Sequence, residues 1–226
     1  MRLRVRRHSV QGRNRFPCPS VCNQVTLTAG LSVKVSLENS SPVLLVLDLQ
    51  ELFTSAAGPF ENVTSDALVE NVNVLLRALR EKQLPIVFSS YVLAEDLSDA
   101  GLLTDNPVVQ QGYFSAGSDW MKWDKRLQLQ NSDILINHNR PSAFHGEGLS
   151  ELLESLHVDT LLLCGLSVNN AISSTARDAF ARDIPTVVIK DCTGAAPWEK
   201  HIEIYFQVLE DWTAQVLTSA ELLEKI

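Results

Sequence analysis

Five short apolar runs, separated by amphipathic stretches of helical period, constrain this chain more than any other feature of its sequence. Residues 43–47 read Val-Leu-Leu-Val-Leu and stop at Asp48. An unbroken run of this length is the pattern of a strand buried on both faces. Further short strands are expected at residues 85–89, 134–136, 160–164 and 186–189. Between them, Leu68, Val72, Leu75, Leu76 and Leu79 share one helical face, with Thr64 or Ser65 placed to cap it. Leu149, Leu152, Leu153 and Leu156 form a second such face at residues 148–157. Ile172, Ala176, Ala179 and Phe180 form a third at residues 170–182. A last helix is expected at about 199–212 and an edge strand at 215–217. Residues 92–132 read as mixed and loop-rich, with Trp120 and Trp123 as either cavity wall or core plug. The alternation predicts an α/β fold: three layers, a mostly parallel doubly wound sheet, and helices on both faces.

In such sheets ligands bind beyond the carboxyl ends of the strands. The segments to interrogate are therefore residues 48–53, 89–91, 138–144, 165–171 and 191–194. No Gly-x-Gly-x-x-Gly or Walker loop follows the first strand, and no Gly-x-Ser-x-Gly elbow is present, so dinucleotide, P-loop and α/β-hydrolase readings lose support.

The charge is uneven. Six arginines and Lys34 precede Glu38 with no acidic residue among them, so the rest of the chain carries 12 basic against 27 acidic residues, a formal charge of −15. An acidic body is a poor partner for nucleic acid. Residues 1–40 read as a basic tail: an organellar transit peptide, a disordered extension or a start-site artefact. One strand within residues 24–37 is compatible with the alternation of Val25, Leu27, Val33, Val35 and Leu37. Residues 41–226 form the expected domain. No apolar run approaches the roughly 20 residues of a membrane span. Cys18, Cys22, Cys164 and Cys192 show neither disulfide-scaffold density nor zinc spacing, which points to a reducing compartment, the cytoplasm or, through the tail, an organelle.

Three pieces of sequence acquire specificity together. They are Asp48-Leu49-Gln50 continued to Phe53, Asn139-Arg140-Pro141-Ser142-Ala143-Phe144, and Gly165 followed ten residues later by Thr175-Ala176-Arg177-Asp178-Ala179. In this order and spacing, over about residues 42–226, the chain resembles the isochorismatase-like hydrolases, the cysteine hydrolase superfamily. The resemblance implies a catalytic triad of aspartate, lysine and cysteine. Asp48 matches the aspartate, His138 stands at the lysine position, and Ala171 occupies the position of the nucleophile. It also implies a non-proline cis peptide near Leu166 and Ser167.

Amide hydrolysis in this family needs a thiolate that attacks a carbonyl, and a methyl group cannot do so. The nicotinamidases of the family carry an Asp-x-His metal site after the second strand. Here that stretch reads Ser89-Ser90-Tyr91-Val92, so neither metal nor cofactor is expected. True isochorismatases have glycine at the cysteine position and cleave a vinyl ether, a reaction that needs a proton donor and water. The resemblance therefore implies acid-catalysed hydrolysis of a small anionic substrate with Asp48 as acid and base and His138 as its partner. The alternative is an inactive member that keeps the pocket for small-molecule binding or the fold for assembly. Gln50, Phe53, Arg140, Phe144 and Asn170 are the candidate substrate-binding residues, with Arg140 serving either as a carboxylate ligand or as a brace. The helix N-terminus at Asn170 and Ala171 would offer amides to an anion. The resemblance also implies a homo-oligomer.

Overall fold

The structure is a computed structural model that describes residues 32–60, 65–195 and 199–226. Six parallel strands form one sheet: β1 (Pro42–Leu47), β2 (Ile86–Tyr91), β3 (Ile134–His138), β4 (Thr160–Gly165), β5 (Thr186–Thr193) and β6 (Gln215–Leu217). Their order is β3-β2-β1-β4-β5-β6. The chain thus winds outward one way from β1 and then returns to wind the other way from β4. The expected doubly wound architecture is present, and every pairing is parallel.

Strand alternation sends the side chains of β1 to two separate cores. Leu44 and Val46 meet the apolar face of α2 (Ser65–Glu81), built from Leu68, Val72, Leu75, Leu76 and Leu79. Val43, Leu45 and Leu47 meet α4 (Leu149–Ser155), α5 (Ser173–Phe180) and α6 (Ile202–Trp212) on the other side. Two short helices, α1 (Glu51–Thr54) and α3 (Pro107–Gln110), shape the loops at the carboxyl edge, and α7 (Ser219–Leu223) adds Leu222 to the α2 side. Because β1 is covered on both faces, all six of its residues are buried, as its unbroken apolar run requires.

Four local readings need correction. Residues 32–37 form no strand; the Val35 amide donates instead to Gln215 Oε1 at 2.9 Å, and the remainder of the expected strand lies outside the described residues. The last helix begins as a 3-10 turn, Glu199–His201, before α6. Phe180 does not point inward but is 50% exposed. The third helix is not regular at its start, since a π turn, Val168–Ile172, precedes α5. No helix among the described residues is long and apolar enough to cross a membrane.

Candidate functional site

The winding reverses between β1 and β4, and the crevice opens there, as the topology dictates. Two backbone devices hold it open. Asp48 adopts a left-handed φ of 55°, which Asp tolerates better than most residues, and this turns the chain sharply off the end of β1. Gly165 adopts a φ of 106°, and a Cβ there would lie 2.1 Å from the Leu47 carbonyl oxygen. Only glycine lets β4 run this close to β1 and then leave it. The Leu166 amide donates to Leu47 O at 2.8 Å, and the Leu166–Ser167 peptide is cis, as the resemblance implies.

A cavity of about 480 Å³ sits above these turns. Asp48 lies on its floor. Phe53, Phe60, Tyr91 and Phe114 form a connected aromatic wall, with neighbouring ring centroids 5.6–6.2 Å apart. Leu103, Val109 and Pro141 extend the apolar lining, and Ser167, Asn169 and Asn170 supply its polar side.

Asp48 is 6% exposed and held from two directions. The Tyr91 amide donates to Asp48 Oδ1 at 2.9 Å. His138 Nε2 lies 3.4 Å from the same oxygen, and no hydrogen-bond partner for this nitrogen meets the geometry of a proper bond. On its other side the imidazole shares a 2.8 Å hydrogen bond between Nδ1 and Ser89 Oγ. The ring is fully buried and packs edge-on against Tyr91 at 5.6 Å. A side chain at the end of β3 therefore reaches under β2 to the end of β1. Burial, more than the charge of Asp48, pushes the Tyr91 phenol above its ordinary value.

The expected site residues divide. Asp48, Phe53 and Asn170 line the cavity, and His138 touches Asp48 from below. Gln50 does not line it: its Nε2 donates to the carbonyls of Tyr91 and Met121, its Oε1 accepts from the Tyr91 amide, and its side chain is wholly buried. Arg140 is absent from the lining too. Its Nη1 donates to the carbonyls of Asp99 and Asn139, as a brace does, while its charge acts on Tyr91 in the cavity wall. Phe144 lies under the Arg182 guanidinium at 4.5 Å, away from the cavity. Ala171 is 1% exposed, and its methyl belongs to the core beneath α5, not to the cavity wall.

The backbone site expected at Asn170 and Ala171 changes as well. The π turn places Ala171 inside a coil rather than at a helix start, and the Asn170 amide donates to Ser167 O at 3.0 Å. That donor is already used. Trp123 packs edge-on against Phe88 at 5.3 Å, and neither Trp123 nor Trp120 lines the main cavity.

Phe60 and Phe114 lie outside the segments that the sequence marks, whereas Tyr91 and Asn169 fall within residues 89–91 and 165–171 without a role of their own. Tyr91 closes a strand already flagged as site-forming, so its position was available as a signal. Phe60 and Phe114 lie far apart in irregular segments, where no periodicity marks a shared face. The three motifs turn out to brace one another: the buried Ala143 amide donates to Thr175 Oγ1 at 3.0 Å, tying the Asn139–Phe144 stretch to α5. Asp178 meets His145 Nε2 at 3.3 Å across the same junction. No group of three or more His, Cys, Asp or Glu among the described residues is arranged to hold a metal ion.

The profile of the isochorismatase domain matches residues 42–221, most of the chain. The chain belongs to the isochorismatase family. An isochorismatase family protein of Escherichia coli O157:H7, YecD, is 29% identical over 169 residues, 74% of this chain and 87% of that protein. N-carbamoylsarcosine amidase of Arthrobacter sp is 25% identical over 158 residues, 68% of this chain. The match spans only 59% of the amidase, less than two thirds of its length. Among solved structures, a cysteine hydrolase from Pseudomonas syringae pv. phaseolicola 1448A superposes with a TM-score of 0.79 at 21% identity, covering 86% of this chain and 96% of that one. At that identity the likeness speaks for the fold alone. Within the isochorismatase family, this member combines Asp48 and His138 with an alanine at position 171.

Proposed function

We propose that this member of the isochorismatase family hydrolyses its substrate by acid–base chemistry, without an acyl-enzyme, and that Asp48 carries the proton. The observation behind this reading is the 3.4 Å approach of His138 Nε2 to Asp48 Oδ1 on the cavity floor. In the tautomer in which the Ser89 hydroxyl donates to Nδ1, the ring proton sits on Nε2, on the side of the carboxylate. Asp48 in its acid form donates a proton to the terminal carbon of a vinyl ether, leaving an oxocarbenium ion. Water adds to that ion and returns a proton to Asp48, and the hemiketal collapses to a carbonyl compound and an alcohol. Positioned acid–base groups of this kind contribute roughly 10²–10⁴-fold in rate.

The sequence led to the expectation of an anionic vinyl ether. Among the described residues no Lys or Arg lines the cavity, and a buried anion without a partner costs several kcal/mol. The lining therefore supports the proton transfer and offers no cation for a substrate's charge. A second reading, a receptor that binds without turnover, is favoured by one observation: position 171 carries no thiol, and Cys164 and Cys192 are buried away from the cavity.

The test uses purified protein with isochorismate and, in parallel, with uncharged phenyl vinyl ether, following pyruvate and acetaldehyde. The expected result is turnover of at least one substrate and a loss of about a hundredfold or more in Asp48→Asn. No turnover of either at high enzyme concentration removes the hydrolytic reading and leaves the receptor.

A further inference from the structure

We propose that this cavity selects an organic cation, an ammonium group carrying apolar substituents, over neutral and anionic ligands of the same shape. The inference rests on the same cavity as the proposed reaction but not on the reaction itself.

Its first support is the wall. Phe53, Phe60 and Phe114 form a triangle with centroids 5.8–6.2 Å apart and planes tilted by 41–53°, and Tyr91 joins edge-on to Phe114 at 5.6 Å. Rings clustered at this spacing allow a cation above them to lie within about 6 Å of more than one ring centroid at once. The negative faces of the rings attract such a charge, whereas a carboxylate or phosphate meets them unfavourably.

The second support is the balance of charge. Among the described residues Asp48 is the one carboxylate on the wall, and no Lys, Arg or His lines it. The two segments of the domain outside those residues, 61–64 and 196–198, contain no Lys or Arg in their sequence. Arg140 sits behind the wall with its Nη1 on two backbone carbonyls; its charge is felt at Tyr91, where Asp48 and Asp99 oppose it. The chain beyond residue 37 carries a formal charge of −15, an overall balance that disfavours anionic ligands.

Three ligands of one shape test the inference by titration calorimetry on the full chain: choline, its uncharged isostere 3,3-dimethylbutan-1-ol, and 3,3-dimethylbutanoate. Choline is expected to bind about tenfold or more tightly than the alcohol, and the carboxylate most weakly. On the wild-type protein, the N-methyl proton resonance of choline is expected to move upfield on binding, because ring currents shield a group held over aromatic faces. Phe60→Leu and Phe114→Leu are expected to lose the preference for choline while holding their affinity for the alcohol within about twofold, as removal of a ring face requires. Equal affinity for choline and the alcohol, preference for the carboxylate, or no choline binding at millimolar concentration overturns the inference. Each of these outcomes is separable from the fate of the hydrolytic reading. Choline binding without vinyl ether turnover leaves the cation site standing, and turnover of isochorismate without choline binding removes the cation site while leaving Asp48 its role.

Discussion

Single residues at the β1–β4 crossing decide whether the crevice exists. Gly165 shows this most sharply, because a methyl group there would meet the Leu47 carbonyl at 2.1 Å while the backbone holds a φ of 106°. Gly165→Ala is expected to cost about 3 kcal/mol or more, read as a lowered urea midpoint at unchanged slope. A midpoint close to the unsubstituted protein would mean that β4 can move off β1 after all. Gly165 was visible in the sequence as a strand end, but its close approach to Leu47 was not. The same holds for Gln50 and Arg140. Their types suit ligand binding, yet Gln50 stitches Tyr91 to Met121 and Arg140 pins the carbonyls of Asp99 and Asn139. Side-chain chemistry says what a residue can bond, whereas the neighbours that take up those bonds belong to other parts of the chain.

At the scale of elements, periodicity served where an element is regular. The apolar face of α2 was legible residue by residue, and Leu75 is fully buried whereas Val74 beside it is 46% exposed. Leu75→Ala is expected to destabilise by about 2–5 kcal/mol and Val74→Ala by about 0.5 kcal/mol or less, measured by thermal or urea unfolding. Similar losses for both would place α2 differently on the sheet. Periodicity failed at the π turn. There the Ile172 amide reaches back to Ser167 O at 3.1 Å, one residue further than an α-helix does, so the face of Ala171 departs from the period of α5. An alanine expected at the mouth of the cleft is packed in the core instead. Phe180, at the margin of the stripe formed by Ala176 and Ala179, is half exposed while both alanines are buried.

The whole molecule behaves as one packed sheet with two cores, and its buried thiols report on that packing. Cys164 and Cys192 both lie in the core on the α2 side, and burial pushes each thiol well above its ordinary value of 9.0. In the folded protein neither is expected to react with iodoacetamide at pH 8, and their labelling, located by peptide mass, should track global unfolding. Rapid labelling of either under native conditions would mean that the sheet opens locally. The sign of the pH effect follows from the same shift. Above pH 9 the unfolded chain loses thiol protons that the folded chain retains, so stability is full below that value and falls as pH rises past it. The raised Tyr91 phenol adds to the fall above its ordinary value of 10.0. A stability that rises between pH 9 and 10.5 would contradict this. The sequence by itself determined the parallel α/β sheet, the placing of a crevice at the strand ends, and Asp48 as a carboxylate in its lining. These depend on local apolar patterning and on a topology that leaves one place for a cleft. Only the tertiary structure decided which side chains face the cavity. Phe60, Tyr91 and Phe114 meet there from three separate segments, and Arg140, Phe144 and Ala171 are drawn away. Facing is a property of contacts between distant parts of the chain, and no local period encodes it.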